Sequence, residues 1–382
     1  MTIRKIILFC CIYLIVPVMV YCQLTIKITS VPSQTSSDAT IYLAGTMNNW
    51  NPADAQHVLT KSNNNEYSIT FTPTTGSIKF KFTRGSWATV EGTELGGYIP
   101  DRTTTYEGTP KTLETSVAGW EGTSLVASTA SPQVRILSDT FLIPQLERKR
   151  RIWIYLPKDY ITTEKAYPVL YMHDGQNLFD KKTSFSGEWG VDESLDALFD
   201  MGDHGCIVVG IENGGNNRLN EYSPWVNPVY GGGQGDEYIE FIANTLKPFI
   251  DKNYRTKADK NNTGIMGSSM GGLISMYAGI AFPHVFGKVG AFSSSYWFSK
   301  DSYKLVNDMG INQGSYFYMI AGDQEGGNQL EDMDKMYNTL KNAGAKDHQL
   351  FKISHNDGKH SEWYWAREFL TAYKWLFKNT TP

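Results

Sequence analysis

The alternation of apolar and polar positions changes character twice along this chain. Ile6 to Val20 is an apolar run of about 15 residues preceded by Arg4 and Lys5, the layout of an export signal. It is short for a membrane span, which needs about 20 residues, and Pro17 interrupts it. Cleavage is expected around Cys22–Gln23, so residues 1–22 read as a signal peptide. Lipid attachment at Cys22 is the alternative, and the bulky Tyr21 before it speaks against it. No other segment looks able to cross a bilayer. The mature protein is expected to be secreted, periplasmic or at the cell envelope.

From Leu24 to Trp120 short runs alternate with period two: Leu24–Thr29, Thr40–Ala44, Tyr67–Thr72, Ile78–Thr83 and Lys111–Val117. Thr, Tyr, Phe and Ile fill them, and Asn-Asn, Pro and Gly separate them, which predicts a small all-β, immunoglobulin-like sandwich over residues 24–120. Residues 121–132 are small and polar and read as a linker. Over residues 133–382 apolar strand-like runs alternate with helical periods. The strands expected are Arg151–Leu156, Val169–His173, Cys206–Ile211, Asn262–Met266, Val289–Phe292, Tyr316–Ala321 and Leu350–Ser354. The helices expected are Val191–Met201, Asp236–Asn253, Gly271–Ala281, Gln329–Ala343 and Glu362–Lys378. Such alternation predicts an α/β domain with a mostly parallel sheet, its ligand site at the carboxyl ends of the strands.

Composition narrows the function. With 382 residues, 13% aromatics and a net charge of −4, the chain can fill two cores and is not disordered. The weakly acidic balance, without a basic run, excludes a nucleic-acid binder driven by phosphate contacts. Of four cysteines (Cys10, Cys11, Cys22 and Cys206), only Cys206 is sure to remain after processing, so no disulfide is expected. Cys206 heads an apolar run and reads as a buried strand residue. No Cys/His cluster has zinc spacing, so neither metal nor organic cofactor is expected.

The sharpest chemical signal is Gly267-Ser268-Ser269-Met270-Gly271, between an expected strand and an expected helix. This is the G-x-S-x-G nucleophile elbow, which presents Ser269 on a strained turn. Bare side chains at the flanking glycines are expected to collide with strand or helix. A serine needs a base, and the base needs an orienting acid. In this fold they follow in the order acid, then histidine. His360, beside the start of the last helix, is favoured as base over His355. Gly322-Asp323-Gln324-Glu325 follows the strand where the acid belongs, and both Asp323 and Glu325 qualify. Oxyanion donors are expected from the backbone N–H of Met270 and from the loop after Val169–His173, at Asp174 or Gly175. His173 itself reads as structural.

Pro168-Val-Leu-Tyr-Met-His-Asp-Gly-Gln-Asn-Leu-Phe-Asp180, the elbow and Gly358-Lys-His360 together resemble the "putative esterase" (esterase D-like) family of α/β-hydrolases. That family includes the feruloyl and acetylxylan esterases of carbohydrate esterase family 1, siderophore trilactone esterases, S-formylglutathione hydrolases and mycolyltransferases. The resemblance, from about Val134 to Phe377, implies Ser269 as nucleophile, His360 as base and Glu325 as acid, with Asp323 the alternative. It also implies Tyr222 and Trp297 as candidate pocket residues. Ile41-Tyr-Leu-Ala-Gly-Thr-Met-Asn-Asn-Trp50 and Ile78-Lys-Phe-Lys81-Phe-Thr-Arg-Gly-Ser-Trp87 are similar to starch-binding modules of carbohydrate-binding families 20 and 48. That likeness implies a sugar platform of Trp50 and Trp87 with Lys81 bonding hydroxyls. Asp101-Arg102 replaces the Asn-Arg pair of family 20. The expected activity is removal of acetyl or feruloyl groups from a polysaccharide or oligosaccharide. Two alternatives stand beside it: a siderophore trilactone esterase with a cationic pocket, and a catalytically inactive carbohydrate-binding protein.

Overall fold

The computed structural model describes residues 23–377 except Leu95, Tyr98, residues 122–126 and residues 185–186. The expected signal peptide with Cys22, and the centre of the expected linker, lie outside the described residues. The chain divides into two compact units, Met1–Leu125 and Val126–Pro382.

In the first unit two sheets share one core. One sheet orders Thr60–Lys61, Tyr67–Phe71, Leu24–Ser30 and Lys111–Ser116; the other orders Tyr42–Gly45, Gly76–Thr83 and Arg102–Tyr106. Period-two alternation places Leu24, Ile26 and Ile28 inside, against Leu43, Phe80, Phe82 and Trp120. Arg102–Tyr106 was not anticipated: Arg-Thr-Thr-Thr-Tyr carries little apolar signal. It holds through ladder bonds and through Arg102, which pairs with buried Glu91 and also bonds Thr115 and Ser116.

The second unit is built on one eight-stranded sheet. Its strands are β1 (Val134–Ile143), β2 (Arg148–Tyr155), β3 (Val169–His173), β4 (Ile207–Ile211), β5 (Thr263–Ser268), β6 (Lys288–Phe292), β7 (Tyr316–Gly322) and β8 (Leu350–His355). The spatial order is β1-β2-β4-β3-β5-β6-β7-β8. β2 runs antiparallel to β1 and β4, and all later pairings are parallel. β1 escaped the sequence pattern because it is a half-exposed edge strand with two register shifts, which blur its alternation.

Helices α1 (Val191–Asp200) and α6 (Glu362–Phe377) cover one face. The other carries α2 (residues 235–253), α3 (Met270–Ala281), α4 (Asp301–Met309) and α5 (Gln329–Asn342). Within α2 the turn Ile242–Leu246 widens to a π-helix just before Pro248, whose missing N–H and bulky ring cannot continue regular bonding. Cys206 is fully buried, as expected. No described helix is long and apolar enough to cross a membrane. β3 runs on to β4 on one side and its other neighbour β5 runs on to β6 on the opposite side, so the chain leaves this adjacent pair in opposite directions. A crevice opens at the carboxyl end of such a switch point.

Candidate active site

The elbow forms where β5 ends and α3 begins. Ser269 sits at φ 58°, ψ −121°, a conformation unfavourable for any residue with a Cβ. Its backbone is pinned from both sides: its N–H donates to the Phe292 carbonyl at 2.8 Å, and its carbonyl accepts from Leu273 and Ser295. Gly267 is required, since a Cβ there would lie 2.9 Å from the Gly271 backbone and from the His173 ring. The second collision falls at Gly272, not at Gly271 as expected. A Cβ on Gly272 would meet Ser294 Oγ at 2.3 Å, whereas one on Gly271 would approach nothing nearer than His173 Cβ at 3.3 Å. Ser269 Oγ lies 3.2 Å from Ser295 Oγ. No bond to His360 is formed, but both residues line one cavity of about 160 Å³. Nucleophile–base bonds are often long before substrate binds.

His360 and Glu325 are in direct contact, Nδ1 to Oε2 at 2.8 Å. The Glu325 side chain is 1% exposed and the His360 side chain 40%. Glu325 Oε1 accepts the Gly322 N–H and the Ser293 hydroxyl, each at 2.6 Å. Trp365 donates its indole N–H to Ser293 at 2.8 Å and packs edge-on against His360, 5.1 Å between ring centres. The carboxylate is thus fixed on three sides, and the imidazole keeps a solvent-facing edge. Asp323, the alternative acid, is exposed, and its carboxylate has no bond or ion pair among the described residues. Ser293, Ser295 and Trp365 were missed as supports. Their signal was position: a serine run after β6, and a tryptophan one turn into α6.

The loop after β3 corrects one expectation. Asp174 adopts φ 55°, and its buried N–H already donates to Tyr222 Oη at 3.1 Å. It is therefore not a free oxyanion donor. The N–H groups of Met270, Gly175 and Gln176 have no acceptor among the described residues. Gly175 is needed for close approach to β4: a Cβ would lie 2.7 Å from the Gly210 backbone. Tyr222 is fully buried, its ring packed at a tilt against His173 and Tyr238; it is a core residue. Trp297 is 54% exposed, edge-on to Tyr230, on the turn following Ser295.

Charge in the cavity is largely paired. Burial alone would raise the Asp174 carboxyl, but Arg218 (2.7 and 2.8 Å) and Asn213 hold it below its ordinary value. Glu362 also lines the cavity, and burial pushes its carboxyl up. Burial drives His173 down to about 3, so it is neutral, with Nδ1 on Tyr238 Oη at 3.0 Å.

In the first unit the rings of Trp50 and Trp87 do meet, 6.2 Å between centres and 42° between planes. Lys81 does not join them at a surface. It is 4% exposed and donates its ammonium to the Ile99 carbonyl, and burial lowers its pKa. Arg102 is likewise held within the fold by Glu91.

Comparison with known proteins fits this geometry. A 242-residue stretch, 60% of this chain, is 29% identical to 92% of the uncharacterized protein YbbA of Bacillus subtilis. Another, 59% of this chain, is 28% identical to 28% of an endo-1,4-beta-xylanase/feruloyl esterase of Xylanibacter ruminicola. A 93-residue stretch, 24% of this chain, is 43% identical to 7% of an alpha-amylase of Niallia circulans. The crystal structure of the enterobactin esterase of Shigella flexneri shares the fold across 90% of this chain and 89% of its own, at TM-score 0.55 and 16% identity. Residues 143–376 match the family described as "Putative esterase": the chain belongs to that family and is a carboxylic ester hydrolase.

Proposed function

We propose that this chain is an exported serine esterase that removes small acyl groups, acetyl or feruloyl, from hydroxyls of a polysaccharide or oligosaccharide. The observation that carries this reading is that His360, which lines the same cavity as Ser269, contacts buried Glu325 behind it at 2.8 Å. Glu325 keeps the proton on Nδ1, which leaves Nε2 to accept the Ser269 proton. Ser269 attacks the ester carbonyl, and the oxyanion forms beside the Met270 N–H at the start of α3 and the free N–H groups of the Gly175–Gln176 turn. His360 returns the proton to the departing alcohol. Water then enters along its exposed edge and cleaves the acyl-enzyme through the same base.

The cavity supports a small, uncharged acyl group. At about 160 Å³ it is below the ~300–1,000 Å³ typical of drug-sized sites. Its one arginine, Arg218, is neutralised by Asp174, and Glu362 adds further acidity. A cationic cradle for catecholates is therefore not supported. The trilactone reading keeps the fold likeness to enterobactin esterase in its favour. In the β unit, immunoglobulin-like in this reading, the Trp50–Trp87 pair suits stacking on a glucose face.

Acyl release by wild type and Ser269→Ala from acetylated xylan, methyl ferulate, 4-nitrophenyl acetate and a catecholate trilactone tests the proposal. Ser269-dependent release, acetyl ahead of feruloyl, is expected. Turnover of the trilactone alone would transfer the protein to iron acquisition. Lack of both turnover and fluorophosphonate labelling would leave the carbohydrate-binding alternative. Sequencing the exported chain from Gln23 tests the signal assignment. Loss of glucan retardation in Trp87→Ala tests the platform.

A further inference from the structure

The N-terminus of α1 gathers acidic groups that the ester chemistry does not use. Glu188, Asp192 and Glu193 each bring one carboxylate oxygen into a group whose members all lie within 4.8 Å of one another. None of the three is in an ion pair among the described residues. Acidic residues in a first helical turn are common, because they complement the helix dipole. Asp192 does not fit that account alone. It is 0% exposed; Oδ2 accepts the Ser131 N–H at 2.7 Å, while Oδ1 is buried with no hydrogen-bond donor among the described residues. A buried carboxylate oxygen without a donor is a costly arrangement. Placing it against two further carboxylates adds repulsion.

We propose that Glu188, Asp192 and Glu193 form a divalent-cation site, with Ca²⁺ the ion that suits it. Calcium binds oxygens at about 2.3–2.6 Å, so two oxygens on one ion lie up to ~5 Å apart, which the observed spacing satisfies. Magnesium at ~2.0–2.1 Å would draw the most widely spaced pair inward, and it demands near-octahedral order. The ligand set is all oxygen, and exposed Glu193 leaves room for waters to complete a flexible shell. A cation would supply the missing partner of Asp192 Oδ1 and cancel the mutual repulsion.

The site sits where two segments meet within the second unit. Thr129 donates its hydroxyl to Glu188 at 2.8 Å, and Ser131 donates its N–H to Asp192, so residues 129–131 are clamped onto α1. Between Glu188 and Asp192 lies Trp189, a wall of the catalytic cavity, whose N–H donates to Asn177 at 2.9 Å. An ion here would stiffen the chain that carries this wall without touching the reacting atoms.

The experiment uses the full mature chain. Thermal unfolding is followed in EDTA, in Ca²⁺ and in Mg²⁺, for wild type, Asp192→Asn and Glu193→Gln. Direct binding is read from Tb³⁺ luminescence, sensitised by indole, and its displacement by Ca²⁺. A Kd of about 10⁻⁴–10⁻³ M, usual for extracellular modules, is expected. Saturating Ca²⁺ should raise the Tm by ~5 °C or more, and Mg²⁺ by less. One Tb³⁺ per chain should bind, and both substitutions should abolish the site. Glu193 is exposed, so Glu193→Gln keeps the test sound should Asp192→Asn not fold. Absence of a Ca²⁺-dependent shift, or a shift and a Tb³⁺ signal that survive both substitutions, overturns the proposal. The acidic group would then be held by a proton shared between carboxylates.

Discussion

In the proposed mechanism Glu325 is the orienting carboxylate, and replacing it by Gln removes that role with the least disturbance to its neighbours. Glu325 makes three contacts: Oε1 accepts from Gly322 N–H and Ser293 Oγ, and Oε2 faces His360 Nδ1. A glutamine oxygen can keep the first two, so the loop survives with a stability cost of ~1 kcal/mol. The third reverses sense. A glutamine NH₂ donates to Nδ1, which forces the proton onto Nε2 and leaves the imidazole unable to take the Ser269 proton. Loss of the correct tautomer in such a triad lowers kcat by about 10⁴, and with His360 partly exposed and free to rotate we expect ~10³–10⁴, or about 4–5 kcal/mol of barrier. The assay is 4-nitrophenyl acetate turnover, normalised to fluorophosphonate-titratable serine, with a thermal melt alongside. Asp323→Asn, at an exposed carboxylate with no bond among the described residues, should stay within twofold of wild type. The reasoning fails if Glu325→Gln stays within tenfold of wild type while folded, or if Asp323→Asn loses as much as Glu325→Gln.

Three further outcomes follow from individual contacts. Tyr222→Phe leaves the buried Asp174 N–H without an acceptor and should cost ~1–3 kcal/mol in urea unfolding, with KM for a small ester unchanged; a tenfold rise in KM at unaltered stability would make Tyr222 a substrate contact after all. Gly272→Ala should destabilise by ~1–3 kcal/mol, its Cβ meeting Ser294 Oγ at 2.3 Å, and melting of Gly271→Ala alongside should show a smaller loss. Burial first, then Glu193, pushes the Asp192 carboxyl up to about 7 from 3.8. The folded state thus keeps a proton that the unfolded state has released, and in EDTA stability should fall as pH rises from about 4 through 7, by on the order of 2–4 kcal/mol. Asp192→Asn should flatten that dependence and be the more stable protein at pH 8.

The linear pattern carried the architecture of the second unit because its strands and helices announce themselves locally. β3 is recovered residue for residue, and α1, α5 and α6 to within one residue. The positions of Ser269 and His360, the proposed nucleophile and base, were legible for the same reason: each is tied to an element boundary, one to the strand–helix elbow, the other to the start of the last helix. The choice of Glu325 over Asp323 could not be read from spacing, since both follow β7 by a few residues. It depends on which carboxylate the turn after Gly322 folds back toward His360, a contact between positions 35 apart in sequence. Tyr222 and Lys81 were misjudged because a residue type says what a side chain can bond, and only packing says whether that bond is made to a ligand or inside the fold. The sequence by itself determined the order of elements and the chemistry available at their ends. Tertiary structure alone decided which donors remain free, which glycine bears the collision at the elbow and which carboxylate is left without a partner, because burial and hydrogen-bond pairing arise only when distant segments close on one another.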